Sequence, residues 1–250
     1  MDYSVLLTRL AEQNADFQST LEREFELELI DGKPLLSFEG IEVKGLPKQF
    51  VFDLDLYDII IFVSKNAVKF GLPQLQALWP QWPESTTWLA VGPATASLLK
   101  NEDFKICSPE LASSEGMLKM SELKNVENKK ILIVRGVGGR ETLKEGLLSQ
   151  GAIVDYLEVY ERNRVPYDFE SNFKSDLTQF TLVYSGEALT HLKSIVGGST
   201  SQYRLILPSS RLQSMAIDLG FDKVILAKSQ EDGDMVSALK DGIAELGLAL

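Results

Sequence analysis

The sequence predicts an α/β protein made of two parallel-sheet domains, the second inserted in the first, and three observations carry that reading. Short runs rich in Val, Ile and Leu alternate with patterned helical stretches of roughly 10–15 residues, the signature of parallel strands covered on both faces. The same strand–serine–helix construction occurs twice: DIIIFVS ends at Ser64 and runs into KNAV, and FTLVYS ends at Ser185 and runs into GEAL. The two copies are rotated relative to each other. The strand KILIVR, ending at Arg135, has its counterpart at the start of the chain, in SVLLTR ending at Arg9. Inserting one domain into the other after the opening βαβ unit produces that order. The chain then crosses between domains twice, near 35–43 and 158–166, and a site is expected in the cleft between the two.

Taken along the chain, strands are predicted near 4–8, 26–30, 58–64, 87–91, 104–107, 130–135, 153–160, 180–185, 203–207 and 223–227. Helices are predicted near 11–24, 66–79, 94–101, 114–123, 140–150, 187–196, 210–219 and 233–246. Gly151 and Gly220 fall just past helix ends, where a left-handed cap favours glycine. Pro93 and Pro208 are read as helix openers, positions at which a missing N–H costs nothing. The crossing segments LSFEGIEVKGLP and YLEVYERNRVP are extended, alternating and closed by proline, so they are expected to pair as a two-stranded hinge. The domains become 1–36 with 165–250, and 42–157, joined by linker strands at 37–41 and 158–164.

A chain of 250 residues is long enough for two independent cores of about 120 residues each. The net charge of −11 disfavours nucleic acid and anionic membrane surfaces as partners. It leaves room for an anionic small molecule, because screening removes distant surface charge within about 8–10 Å. Apolar runs such as Ile59–Val63 are strand-length, too short to span a bilayer, and no signal-like start is seen. A single cysteine, Cys107, forms no internal disulfide and points to a reducing, cytoplasmic setting.

Catalytic inventories are limited. The only histidine, His191, lies within a helical pattern and is read as a surface residue; Cys107 is read as a small packing residue in a strand. A Ser-His-Asp triad, a Cys-His pair and a multi-histidine metal site all lack members, so no metal is expected. The stretch VRGVGGRET follows a strand and opens a helix, where backbone N–H groups can grip an anion, with Arg135 and Arg140 adding contacts. Its glycines, Gly136, Gly138 and Gly139, do not match the dinucleotide fingerprint, although Asp155 stands where a ribose-binding acid would. A plain tight turn and a nucleotide site both remain open there. Ser64, Thr95, Ser185, Ser209 and Ser210 fall at strand ends that open helices, either as N-caps or as hydroxyl donors to a ligand at the carboxyl edge. Tyr160 stands where the second crossing leaves its strand, either packing the hinge or reaching the cleft.

In this order the segments VLLTR (5–9), PLL (34–36), IIIFVSKNAV (59–68), AVGPATA (90–96), SSEGML (113–118), KILIVRGVGGRETL (130–143), GAIVDYLEVYER (151–162), SGEAL (185–189) and LPSSRL (207–212) resemble the bacterial uroporphyrinogen-III synthases. The resemblance implies two flavodoxin-like domains, a two-stranded linker and a discontinuous first domain. It implies closure of the linear tetrapyrrole hydroxymethylbilane to uroporphyrinogen III, with ring D inverted and water lost. It further implies a cofactor-independent cytoplasmic monomer of heme biosynthesis; transient contact with hydroxymethylbilane synthase stays open. Tyr160 matches the family's tyrosine thought to assist departure of the hydroxyl. Arg9, Ser64, Lys65, Thr95, Arg135, Gly136, Gly138, Ser185, Gly186, Ser209 and Ser210 are the implied substrate contacts. Two positions depart from the bacterial pattern. Leu10 stands where proline is common, implying a looser turn, and Tyr184 replaces a threonine before Ser185. A non-catalytic two-domain clamp for an anionic metabolite is the rival reading that the cleft argument alone supports equally.

Overall fold

The structure is a computed structural model describing residues 3–25, 30–100, 102–173 and 176–248. Its strands are β1 (Tyr3–Leu7), β2 (Ile30–Gly32), β3 (Leu36–Gly40), β4 (Ile59–Phe62), β5 (Thr87–Ala90), β6 (Ile106–Cys107), β7 (Lys130–Gly136), β8 (Ile153–Arg164), β9 (Thr178–Leu182), β10 (Tyr203–Leu207) and β11 (Val224–Leu226). The helices are α1 (Ala11–Glu24), α2 (Leu46–Phe52), α3 (Lys65–Gln76), α4 (Pro93–Ala96), α5 (Ser114–Met117), α6 (Thr142–Ser149), α7 (Phe169–Asn172), α8 (Gly186–Val196), α9 (Ser210–Asp218) and α10 (Asp232–Glu245). The chain divides into two compact units, Met1–Ser37 with Asn163–Leu250, and Phe38–Arg162.

The discontinuous unit carries a five-stranded sheet in the order β11-β10-β9-β1-β2, with every neighbouring pair parallel. The continuous unit carries the order β3-β8-β7-β4-β5-β6, parallel from β8 to β6. Leaving aside the edge strand β3 and counting the strands of each sheet from its own first βαβ unit (β1 in one, β7 in the other) gives the same spatial order, 2-1-3-4-5, in both. This is the structural form of the rotated repeat in the sequence.

Side chains explain why the strands read as unbroken apolar runs. In β4, Ile60 and Phe62 enter one core while Ile59 and Ile61 enter another on the opposite face. In β10, Ile206 packs on one face and Leu205 and Leu207 on the other. Each sheet is thus covered on both sides, and each fully buried aliphatic side chain contributes about 1.5–3 kcal/mol. The N–H of Ile41 donates to Val159 O at 2.9 Å, and that of Val165 to Leu35 O at 3.1 Å. Residue numbers fall along β3 as they rise along β8, the sense of an antiparallel ladder.

Several expectations need correction. The predicted strand at 26–30 falls mostly on 26–29, outside the described residues, and the described strand is Ile30–Gly32. Residue 101, in the predicted helix 94–101, is likewise outside them; the rest is a short α-turn, Pro93–Ala96, followed by a 3₁₀ turn. The helix expected to reach residue 79 stops at Gln76, three residues beyond Pro73. Pro208 opens no helix: α9 begins at Ser210, with Ser209 as its N-cap. Two helices, α2 and α7, were not anticipated. Gly151 and Gly220 do cap helices, with φ of +83° and +85°.

His191 is not a surface residue. It is buried, 7% exposed, and its Nε2–H donates to the Val165 carbonyl at 2.7 Å. The polar end of the ring thereby anchors the segment that follows β8 to α8. Leu10 has φ −54°, within the range that proline fixes, so the proline-like backbone of this turn is kept without proline. Cys107 is half-buried and packs on the Ile59–Ile61 face.

Candidate active site

In the continuous unit, β8 carries the tyrosine singled out by the sequence. Its register against β7 runs evenly from Lys130↔Ile153 to Arg135↔Glu158 and then jumps to Gly136↔Tyr160. Val159 is the extra residue of a bulge, a device that re-aims the side chain beside it. Before the bulge the faces alternate: Val154 and Tyr156 lie on one side, Leu157 and Val159 on the other. Simple alternation returns Tyr160 to the side of Tyr156. The bulge instead places it on the side of Val159 and α3.

There Tyr160 is closely fixed. Its Oη lies 3.1 Å from Ser64 Oγ. Phe38 meets its ring edge-on at 5.7 Å, and Phe70 of α3 lies tilted at 5.9 Å. Gly136 lies directly beneath the ring: a Cβ there would come within 2.5 Å of Cε2 and Cζ. Phe38 and Phe70 were not singled out from sequence, because one aromatic in an extended segment and one on a helix carry no mark of their target.

The turn after β7 is held by a clamp. Arg135, 5% exposed, donates from Nε to Gly136 O at 3.1 Å and from Nη1 to Glu141 Oε1 at 3.0 Å. Its guanidinium lies 4.3 Å from the Tyr156 ring centroid, and Tyr156 Oη donates to the other Glu141 oxygen at 2.7 Å. That hydroxyl, then the Arg135 guanidinium, holds the Glu141 carboxyl below its ordinary range. Burial, reinforced by Glu141, pushes the Tyr156 phenol up to about 12. Gly138 and Gly139, with φ of +72° and +97°, make the turn, and α6 starts only at Thr142. Arg135 is therefore an internal brace, and the Glu141 carboxylate is taken up by Arg135 and Tyr156. Asp155 accepts from Tyr57 Oη at 2.9 Å.

The serines share one geometry. Ser64, Ser185 and Ser209 are the N-caps of α3, α8 and α9, accepting from Ala67 N–H at 3.0 Å, Ala188 N–H at 3.2 Å and Leu212 N–H at 3.4 Å. An N-cap serine uses an acceptor lone pair in this way, and its O–H remains able to donate. Both sequence readings of these positions are thus compatible. Ser210 is the first helical residue and is exposed, so Ser209 is the equivalent of Ser64 and Ser185. Lys65 is exposed at the start of α3, whereas Thr95 is buried in α4.

In the discontinuous unit, Arg9 departs from the expected open contact. It donates to Asp232 Oδ1 at 2.5 Å and Tyr184 Oη at 2.8 Å, and lies 4.1 Å from the Tyr184 ring centroid. Tyr184, which replaces the family's threonine, thus holds Arg9. Burial raises the Tyr184 phenol to about 12, against the opposing pull of Arg9. Gly186 lies beside the side chain of Arg211. Among the described residues no group of three or more His, Cys, Asp or Glu could hold a metal, and no helix is long and apolar enough to cross a membrane.

Parallel sheets covered on both faces, with a phenol–serine pair at the end of β8 in the continuous unit, define an α/β protein. The family described as uroporphyrinogen-III synthase HemD matches residues 33–237. The uroporphyrinogen-III synthase of Escherichia coli is 31% identical over 218 residues, covering 83% of this chain and 88% of its own. That of Salmonella typhimurium is 33% identical over the same coverage. In fold, the chain is similar to the uroporphyrinogen-III synthetase of Helicobacter pylori, with a TM-score of 0.64 at 14% identity and coverage of 96% of this chain and 99% of that one. A mutant enzyme of Thermus thermophilus gives 0.61 at 12% identity, over 97% and 99%. The chain belongs to the uroporphyrinogen-III synthase family.

Proposed function

We propose that the protein closes hydroxymethylbilane to uroporphyrinogen III, inverting ring D and releasing water, with no metal or organic cofactor. The observation that carries this is the seating of Tyr160, at a bulge within the family-matched span, with its hydroxyl against a helix N-cap and its ring held on Gly136.

An electron-rich pyrrole expels its own neighbouring hydroxyl to give an azafulvene cation, so no protein nucleophile is needed. The enzyme must assist the leaving oxygen and hold the chain so that the substituted carbon of ring D attacks first. The Tyr160 O–H serves as the donor to the leaving oxygen; the rest is orientation. The substrate's carboxylates are met by Lys65, the backbone of Gly138 and Gly186, and the hydroxyls of Ser185, Ser209 and Ser210. Arg9 and Arg135 support these turns from within, and Thr95 packs beneath its own.

The shared 2-1-3-4-5 strand order supports reading each unit as a flavodoxin-like domain, with 37–41 and 158–164 as the linkers. The single cysteine supports a reducing cytoplasmic setting, and we read the chain as a monomer. The decisive assay generates hydroxymethylbilane in situ, adds the purified protein and separates the oxidised porphyrins. Isomer III as the main product upholds the activity. Isomer I alone, from folded protein, overturns it in favour of the metabolite clamp.

A further inference from the structure

Ser64 is an unusual N-cap, because its hydroxyl meets the very group assigned to the chemistry. Its Oγ accepts the Ala67 N–H of α3 at 3.0 Å and lies 3.1 Å from Tyr160 Oη. A serine hydroxyl has one proton and two acceptor lone pairs. With one lone pair turned to the helix amide, the proton is available to Tyr160. Either hydroxyl can be the donor across this contact; when the Ser64 O–H donates to Tyr160 Oη while Oγ accepts the Ala67 N–H, the phenol's own proton is left to point elsewhere.

We infer that Ser64 is a positioning residue for Tyr160, a donor that frees the phenolic proton and then stabilises the phenolate, and that it is not a direct substrate contact. This rests on the assignment of Tyr160 as the donor to the leaving hydroxyl. In that step the C–O bond of the hydroxymethyl group breaks, both electrons going to oxygen. The Tyr160 proton joins that oxygen, which departs as water, while the pyrrole nitrogen lone pair fills the deficit at carbon. Tyr160 is left as a phenolate. The proton lost from the carbon that ring closure bonds then restores the phenol.

The Ser64–Tyr160 hydrogen bond is neutral before the step and charge-assisted after it, and hydrogen bonds to ionised acceptors are roughly twice as strong. A contact that strengthens only as the reaction proceeds acts on kcat and not on substrate affinity. The N-terminus of α3 adds to this, since its dipole favours negative charge, and Ser64 is the link to it. Two further capping serines, Ser185 and Ser209, accept a helix N–H in the same way, with no hydrogen bond to a tyrosine hydroxyl among the described residues. They provide the internal comparison.

The test is a double-mutant cycle on the full chain. Ser64→Gly removes the hydroxyl, and glycine is among the mildest replacements at an N-cap, so the variant stays folded. Ser64→Thr keeps both the cap and the donor. With hydroxymethylbilane as substrate, Ser64→Gly is expected to lower kcat about tenfold or more with KM little changed, and Ser64→Thr to restore most of the rate. In a Tyr160→Phe background, Ser64→Gly should cause no further loss. An equal loss in that background, or a rise in KM at unchanged kcat, makes Ser64 a substrate contact and overturns the inference. Wild-type kcat for Tyr160→Phe overturns the tyrosine's role and the inference with it, while isomer III from the wild-type chain in the same assay leaves the overall activity standing.

Discussion

Gly136 and Tyr160 occupy mutually exclusive space: a Cβ on Gly136 would lie 2.5 Å from Cε2 and Cζ of the tyrosine ring. The ring has little freedom to retreat, because Phe38, Phe70 and Ser64 contact it on other sides. Gly136→Ala is therefore expected to shift the phenol by a sizeable fraction of an ångström or more. Overpacking of this kind costs about 1–3 kcal/mol of stability, and a misplacement of about 1 Å costs on the order of 10²-fold in rate. Turnover per folded molecule, with the folded fraction taken from a denaturant titration, should fall by about that factor. Turnover within twofold of wild type contradicts the seating described.

Arg9 illustrates a role that sequence could not separate from its alternative. A cation at a strand end is equally a ligand for substrate or for the protein, and its two partners, Tyr184 and Asp232, lie 175 and 223 residues away. Arg9→Ala removes one partly exposed ion pair and two cation–π contacts, on Tyr184 and Phe17. The expected result is a stability loss of about 1 kcal/mol with KM changed less than about threefold. A tenfold rise in KM with stability intact would return Arg9 to the substrate.

Burial of His191 was also hidden, because one histidine in an amphipathic helix carries no sign of which neighbour it meets. His191→Ala leaves the Val165 carbonyl without this donor. Losing a buried hydrogen bond in this way costs about 1–3 kcal/mol, visible as a lower urea midpoint. Turnover of the folded fraction should be unchanged. A selective loss of activity at full stability would give His191 a part in the reaction.

The predicted strands near 58–64, 130–135 and 203–207 were legible because unbroken Val/Ile/Leu runs are what a sheet covered on both faces requires, and β4, β7 and β10 are those runs. Helix starts at Ser64, Ser185 and Ser209 were legible from capping chemistry. Helix α2 was not, because LPKQFVF opens on Gly45 without a side-chain cap. The most consequential omission is the bulge at Val159. Tyr160 could be picked from its place at a strand end, but its face depends on one residue of register, and a period-two pattern gives the opposite answer. Bulges leave no composition signal when the extra residue is itself apolar.

The clamp on the glycine turn has a pH signature. Glu141 is held below its ordinary carboxyl range by Tyr156 and then Arg135, so the native state binds its proton less readily than the unfolded chain. Its contribution is fully present above the unfolded value of about 4.3 and is lost as pH falls through the lower native value. Glu141→Gln removes the titrating group and should flatten that part of the acid limb. Urea midpoints for wild type and Glu141→Gln should therefore differ at pH 6 and converge on acidification below about pH 4. Turnover should follow the same ordering, because the clamp fixes the Gly136 carbonyl through Arg135 and with it the surface on which Tyr160 rests. A constant gap between the two proteins across the acid range would show that the Arg135–Glu141–Tyr156 contacts bear no charge-dependent load.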